Sequence, residues 1–184
     1  MDAKSPAPFR PNWLPICLGS LPHTDVARAW EVILQRFPEI PTWPQLPRRS
    51  HLENMYAQFS ERFPGLAMED RGRLYVDRQR NLERSLERLY LAYLENTREH
   101  GRVSASHAAG LEALRRGEVQ FPQVPLALKG TITGPVSWSL TVVDRNQRPI
   151  LCDEVLLDAV GKHLHLKAAW QEDELRRLAP TTIL

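Results

Sequence analysis

Residues 14–25 read LPICLGSLPHTD, and this stretch sets the expected fold. Its apolar run, 14–18, predicts a buried strand that ends in Gly19-Ser20. Apolar residues then recur at helical spacing over residues 24–37, and Pro38 ends the pattern. The stretch therefore predicts a strand followed by a crossover helix, the unit from which parallel sheets are built.

Three more strand candidates follow along the chain, at 40–46, 126–133 and 181–184. Helical patterns follow the first of them at 52–63 and, after a loop, the second at 153–178. Such alternation favours α/β architecture with a parallel sheet. An eight-stranded barrel of these units typically needs about 250 residues. We therefore expect the N-terminal half of a TIM-type (β/α) barrel that stops at the start of a strand.

The expected domain organisation is an arm followed by one partial barrel domain. Residues 1–12 contain three prolines and predict an extended arm, so the domain covers 13–184. Residues 66–118 interrupt the alternation with amphipathic patterns at 81–97 and 104–116. We interpret this stretch as a helical insertion after the second strand–helix unit, with a solvated charged face.

Composition restricts the partners. The 184 residues carry 24 Lys and Arg against 22 Asp and Glu, so we expect no nucleic-acid or membrane-surface partner. No apolar run is long enough to predict a membrane span. Cys17 and Cys152 show no zinc spacing and indicate reduced thiols in a cytoplasmic protein. The dinucleotide, phosphate-loop, HExxH, CxxC and GxSxG motifs are all missing, and His163 and His165 are spaced for different helix faces.

The first candidate site is the loop after the first predicted strand. Gly19 allows close backbone approach, and the Ser20 hydroxyl with the following helix N-terminus is suited to a carboxylate. His23 is suited to binding or proton transfer near neutral pH, and Thr24 follows it. The alternative is a plain strand-to-helix turn with an N-cap.

Two further loops share the same expected edge. Gly134-Pro135 makes a rigid bend after the third predicted strand, and Ser137 follows it. Gln45 and Arg49 follow the second, where an arginine is suited to clamp an anion. A plain turn and a solvated arginine pair are the alternatives. In a barrel the carboxyl ends of all strands open onto one ligand-binding face, which favours substrate-binding roles for these residues.

The LGSLPHTD segment at 18–25 resembles the first-strand signature of the barrel superfamily of cobalamin-independent methionine synthase and uroporphyrinogen decarboxylase. The KGTITGPVS segment at 129–137 is similar to that family's TGP loop. The WPQLPRRSHLENM stretch at 43–55 looks more like the short, single-barrel members. Leu21 and His23 stand where the family has an aromatic residue and a glutamine.

The resemblance implies an α/β barrel and, for the synthase branch, methyl transfer to a thiol such as homocysteine in methionine biosynthesis. It implies that Ser20 and its neighbours hold the amino-acid part of the substrate. The family's zinc, which binds and deprotonates the thiol, takes its ligands from the second half of the barrel. We therefore expect no metal site and assign no catalytic residue in this chain, which we interpret as inactive alone.

Two other interpretations stay open. One is a decarboxylase-type enzyme of the same superfamily that acts on an acidic tetrapyrrole. The other is a non-catalytic interaction module. The partners to be considered are a small thiol or acidic substrate, a complementary half-barrel chain, a second copy of the chain, and a methyl-corrinoid protein as donor.

Overall fold

The computed structural model describes residues 9–69 and 72–184 and has a mixed α/β architecture. Residues 1–8 of the predicted arm and 70–71 of the predicted insertion lie outside this described part. Within it, the six α-helices are α1 (Val26–Arg36), α2 (Met55–Gln58), α3 (Leu82–Leu94), α4 (Ala109–Arg115), α5 (Pro135–Thr141) and α6 (Glu154–Arg176). The five short strands are β1 (Leu66–Met68), β2 (Leu74–Val76), β3 (Leu128–Lys129), β4 (Val143–Asp144) and β5 (Thr182–Ile183).

Parallel pairing links four segments of the chain in sequence order. Ser20 pairs with Gln45, and Thr42 pairs with Lys129 on the next segment. β3 then pairs with β5 through Leu128–Thr182 and Lys129–Ile183. All of these pairings are parallel. The predicted α/β class is confirmed, and each strand candidate lies beside the next one along the chain.

Regular strand structure is shorter than the sequence predicts. Residues 14–18 form no strand, and pairing begins only at the Gly19–Leu21 backbone. Pro15 has no N–H to donate to a ladder. The second segment pairs at only two positions, since Pro41 and Pro44 also lack that donor.

The capped and amphipathic helices form as predicted. α1 begins after Asp25, whose carboxylate accepts the Arg28 N–H at 2.7 Å, and it ends before Pro38. α6 begins after Asp153, which caps Leu156 N–H at 3.0 Å.

Two predicted helices are shorter, and one helix was not predicted. Only residues 55–58 of the 52–63 pattern form α-helix, residues 51–53 form a 3₁₀ helix, and Arg62 adopts φ +70° two residues before Pro64. The 104–116 pattern forms a helix only over 109–115. Pro135, predicted as part of a bend, is the first residue of α5.

The predicted insertion contains strands as well as helices. β1 and β2 form an antiparallel hairpin, and β4 pairs with β2 in parallel. α3 packs against α6, the longest helix, which also contacts β3 and β5. α6 therefore connects the parallel segments to the part of the chain that interrupts them.

The core contains four buried tryptophans, and the indole N–H groups of three of them donate hydrogen bonds. Trp30 donates to Gly110 O at 2.9 Å and Trp138 donates to Tyr56 O at 3.0 Å. Trp43 donates to Gln171 Oε1 at 2.7 Å. A buried indole N–H without a partner is costly, so these bonds fix α1, α5 and the second parallel segment in place.

None of the helices in the described ranges is both long enough and apolar enough to cross a membrane.

Candidate functional site

The first candidate loop begins where the first two parallel segments meet. Gln45 N–H donates to Gly19 O at 2.9 Å, and Leu21 N–H donates to Gln45 O at 3.0 Å. The Ser20 hydroxyl donates to Gln45 Oε1 at 3.0 Å. Two predicted site residues are therefore joined through both backbone and side chain.

Gly19 brings three segments within contact distance. Its φ of +112° lies in a region that other residues rarely adopt. A methyl group added there would lie 3.3 Å from Trp43 O and 3.5 Å from Oγ1 of both Thr42 and Thr131. Thr131 Oγ1 also donates to Leu18 O at 3.2 Å. The start of the third loop and the end of the first segment are thus in direct contact.

Lys129 is a buried lysine that points away from α6. The next residue, Gly130, faces α6, because a methyl group there would lie 2.3 Å from Gln171 Oε1. Side chains alternate along a strand, so Lys129 lies on the opposite face, which it shares with its pairing partner Thr42. Lys129 is only 9% exposed.

The surroundings of the Lys129 ammonium are polar but uncharged. Nζ donates to Gly130 O at 3.3 Å and to Thr131 Oγ1 at 3.5 Å, and both bonds are long. Burial lowers the pKa of Lys129, and the nearby Cys17 acts in the opposite direction. A cation with two neutral, distant acceptors is well placed to take a carboxylate.

Hydroxyl groups without partners lie on the same two segments. Thr42 Oγ1 and Thr133 Oγ1 are buried and make no hydrogen bond within the described residues. Buried polar atoms normally have a partner, from the protein, water or a ligand. Thr42 pairs with Lys129 and lies near Gly19, and Thr133 follows on the segment of Lys129; we call these four residues the strand-end site.

Gln45 is buried and has its side chain fully engaged. Its Nε2 donates to Gln58 Oε1 at 2.5 Å, and Gln58 Nε2 donates to His107 O at 2.6 Å. Gln45 is 2% exposed. In this arrangement Gln45 positions the Ser20 hydroxyl.

Arg49 is committed in part to an internal ion pair. Its guanidinium lies 2.6 Å from Glu53 Oε1, while Glu53 Oε2 accepts the Leu46 N–H at 3.2 Å. Burial raises the pKa of Glu53, and Arg49 opposes that shift. Arg49 and Thr24 also line a groove of about 620 Å³ that runs along α1.

The remaining predicted residues lie around the loops that follow the parallel segments. His23 is half-buried, and its Nδ1 has no partner in the described part of the chain. Gly134 precedes α5, Pro135 begins that helix, and the exposed Ser137 accepts the Thr141 hydroxyl on its carbonyl. Of the predicted site residues, Gly19, Ser20 and Gln45 are in direct contact with one another. Thr24 and Arg49 line the same groove.

The zinc that the resemblance implies does not fit the described residues. A zinc site needs three or four His, Cys, Asp or Glu ligands. No group of three such side chains comes together within 9–69 and 72–184. Cys17 and Cys152 are both free, and His163 Nε2 donates to Phe59 O at 2.7 Å. We assign no step at a metal to these residues.

Comparison with known proteins gives no relative for this chain. No family model matches it, and neither the search of curated proteins nor that of solved structures gives a match. The strand-end site therefore depends on its own geometry.

Sequence reasoning did not select Thr42, Lys129, Thr131 or Thr133 as site residues. A signal was present, since Lys129 is the one charged residue in the predicted apolar strand LALKGTIT. Lysine is seldom buried without a paired charge, so its presence there pointed to a role.

Proposed function

We propose that this chain forms the first four strands, with helices after the first three, of an α/β barrel similar to the methionine synthase and uroporphyrinogen decarboxylase superfamily. In this proposal it holds the amino-acid part of a thiol such as homocysteine during methyl transfer. The supporting observation is the parallel pairing of four segments in chain order, since both signature loops then follow the carboxyl ends of parallel segments, the first and the third.

The strand-end site supplies chemistry suited to an amino acid. The Lys129 ammonium would bind the substrate carboxylate in place of its two long hydrogen bonds. The unpartnered hydroxyls of Thr42 and Thr133 would accept from the substrate ammonium. Gly19 lets the first segment approach the hydroxyls of Thr42 and Thr131 closely.

The proposal requires further strands to close the barrel. Ile16 and Leu18 beside the first segment are 49% and 81% exposed, and Leu184 beside β5 is 44% exposed. Open parallel edges with apolar side chains are normally covered. A complementary half-barrel would cover them and supply the metal ligands, so the described residues alone would not transfer a methyl group.

The test is a titration of the ¹⁵N-labelled chain with L-homocysteine, in which binding is monitored through the amide chemical shifts. We expect saturable shifts concentrated at residues 19–24 and 129–137. The Kd should be about 1 mM, because half of the site is missing. Lys129→Met should weaken binding at least tenfold, because it removes the carboxylate partner. Lys162→Met is the matched control, since Lys162 lies on α6 and pairs with Asp158.

Three results would contradict the proposal. These are no saturable shifts, shifts confined to other parts of the chain, and equal weakening by Lys129→Met and Lys162→Met. D-Homocysteine should bind more weakly than the L form, because the carboxylate and ammonium partners occupy fixed positions.

The exposed apolar edge also favours a second candidate, a non-catalytic interaction module. That function predicts association through the 16–18 segment and β5 without any amino-acid binding. Light scattering at several concentrations separates the two, together with the homocysteine titration. A strict monomer that binds homocysteine supports the first proposal and argues against the second.

A further inference from the structure

A second cavity lies on a different part of the molecule and is lined by cationic side chains. It has a volume of about 580 Å³ and lies between α3 and the loops around Arg62 and His100. The polar part of its lining includes Arg62, Arg80, Arg88 and His100, and the apolar part includes Phe63 and Leu66. Among residues 9–69 and 72–184, no acidic side chain lines this cavity, which we call the arginine pocket.

Arg62 is held at the wall of the arginine pocket by backbone carbonyl groups. Its Nη1 donates to Glu99 O at 2.8 Å and to His100 O at 3.4 Å. These acceptors are neutral, so they leave the guanidinium charge without a counter-ion. The second Nη and Nε of Arg62 make no hydrogen bond within the described residues, and both remain available to a ligand.

The acid that pairs with Arg80 is already engaged by another arginine. Asp77 lies 2.6 Å from Arg145 and 3.7 Å from Arg80, so its charge goes first to Arg145. Arg145 lowers the pKa of Asp77, which keeps that carboxylate ionised and engaged. Arg88 is exposed on α3 and forms no salt bridge within residues 9–69 and 72–184. The pocket therefore carries positive charge in excess of its internal partners.

His100 contributes a further polar atom without a partner. Its Nε2 is buried and makes no hydrogen bond in the described part of the chain. Behind it, the fully buried Lys167 donates to Arg102 O at 3.0 Å. Arg62 and Lys167 are the two cations that face His100. A buried nitrogen of this kind normally has a partner from the protein, from water or from a ligand, and here Arg62 lies near it.

We propose that the arginine pocket binds a phosphorylated small molecule. Guanidinium groups match phosphate oxygens in paired hydrogen bonds, and three of them can surround one multiply charged group. The volume exceeds that of a phosphate ion and falls in the usual range for small-molecule sites. Phe63 and Leu66 would contact the non-phosphate part of the ligand. This site is separate from the strand-end site and does not depend on the barrel proposal.

The test is titration calorimetry of the intact chain with inorganic pyrophosphate at constant ionic strength. We expect saturable binding at one site. Arg88→Gln and Arg80→Gln should each weaken it about tenfold, whereas Arg36→Gln, with the same charge change at the end of α1, should leave it unchanged. Thermal unfolding of each variant verifies that it is folded, and two separate pocket variants guard against the failure of one.

Citrate distinguishes phosphate recognition from general attraction of anions. The proposal expects citrate to bind at least tenfold more weakly than pyrophosphate under the same conditions. It is overturned by no saturable pyrophosphate binding, by equal affinity for citrate, or by the same loss in Arg36→Gln as in the pocket variants.

Discussion

The Gln171 side-chain amide bonds to both backbone groups of Thr131. Nε2 donates to Thr131 O at 2.9 Å, and Oε1 accepts Thr131 N–H at 2.9 Å. The same Oε1 accepts the Trp43 indole N–H at 2.7 Å. One side chain of α6 thus replaces a missing strand partner for Thr131 and fixes the second segment beside it.

Gln171→Leu is expected to destabilise the fold strongly. The change leaves the Trp43 indole N–H and both backbone groups of Thr131 without partners, and each buried orphan group costs roughly 1–3 kcal/mol. We therefore expect the free energy of unfolding to fall by at least about 2 kcal/mol in urea denaturation followed by circular dichroism. Gln35→Leu, at an exposed position of α1, is the matched control and should change it by less than about 0.5 kcal/mol.

Gly19→Ala tests the close approach at the strand-end site. Alanine at φ +112° is strained by about 1–3 kcal/mol, and its methyl group would press against Trp43 O at 3.3 Å. We expect a loss of unfolding free energy in that range and loss of homocysteine binding. Gly161→Ala on α6 meets open space and should instead stabilise by roughly 0.5–1 kcal/mol. Equal effects at both positions would contradict the assigned geometry.

The sequence predicts the helices better than the strands because helix signals are local. Asp25 and Asp153 cap their own helices, and the apolar stripes of α1, α3 and α6 are complete within one segment. Strand pairing depends on neighbours far along the chain. Ser20 finds its partner at Gln45, and Lys129 finds its partners at Thr42 and Ile183. A local sequence pattern does not reveal that a predicted strand containing prolines forms only one or two residue pairs with its neighbour.

The site shows the same limit. Gly19 and Ser20 are recognisable from a short motif, and both lie where the first two segments meet. The role of Gln45 could not be predicted, because its partner Gln58 lies on a helix that the sequence pattern overextends. Lys129 is recognisable as a charged residue in an apolar strand. The sequence does not show which face of the strand it occupies, because that depends on Gly130 lying against Gln171 of α6.

Lys129→Met should raise the stability of the chain at neutral pH although it weakens the proposed homocysteine binding. Burial lowers the pKa of Lys129, so the unfolded state binds more protons over the range below the ordinary lysine pKa. The stability of the unaltered chain therefore rises with pH through that range. At pH 7 the buried Lys129 ammonium is charged, so the cost of burying it is present. We expect Lys129→Met to be more stable on the order of 1 kcal/mol at pH 7, with a smaller difference near pH 10.

The control for that experiment is Lys162→Met. Lys162 lies 2.5 Å from Asp158 and 4.7 Å from the Tyr90 ring centroid, so its loss should leave stability unchanged or lower it by at most ~1 kcal/mol. Measuring the free energy of unfolding of both variants by the same urea transitions makes the two lysines directly comparable. A Lys129→Met variant less stable than Lys162→Met would argue against an uncompensated buried charge.

His163 should make the chain sensitive to mild acid. It is fully buried, and burial together with Lys167 lowers its pKa to about 3. Between pH 3 and 6.5 the unfolded state therefore binds the extra proton, so stability falls as the pH is lowered, by up to about 1.4 kcal/mol per pH unit from this group. His163→Gln keeps a donor for Phe59 O but does not titrate, and we expect it to lose less stability than the unaltered chain between pH 6.5 and 4. His165→Gln, at an exposed position on the same helix, should retain the full acid dependence. The free energy of unfolding is measured by urea denaturation at each pH. If it falls equally with pH in the two variants, the pKa of His163 is not lowered.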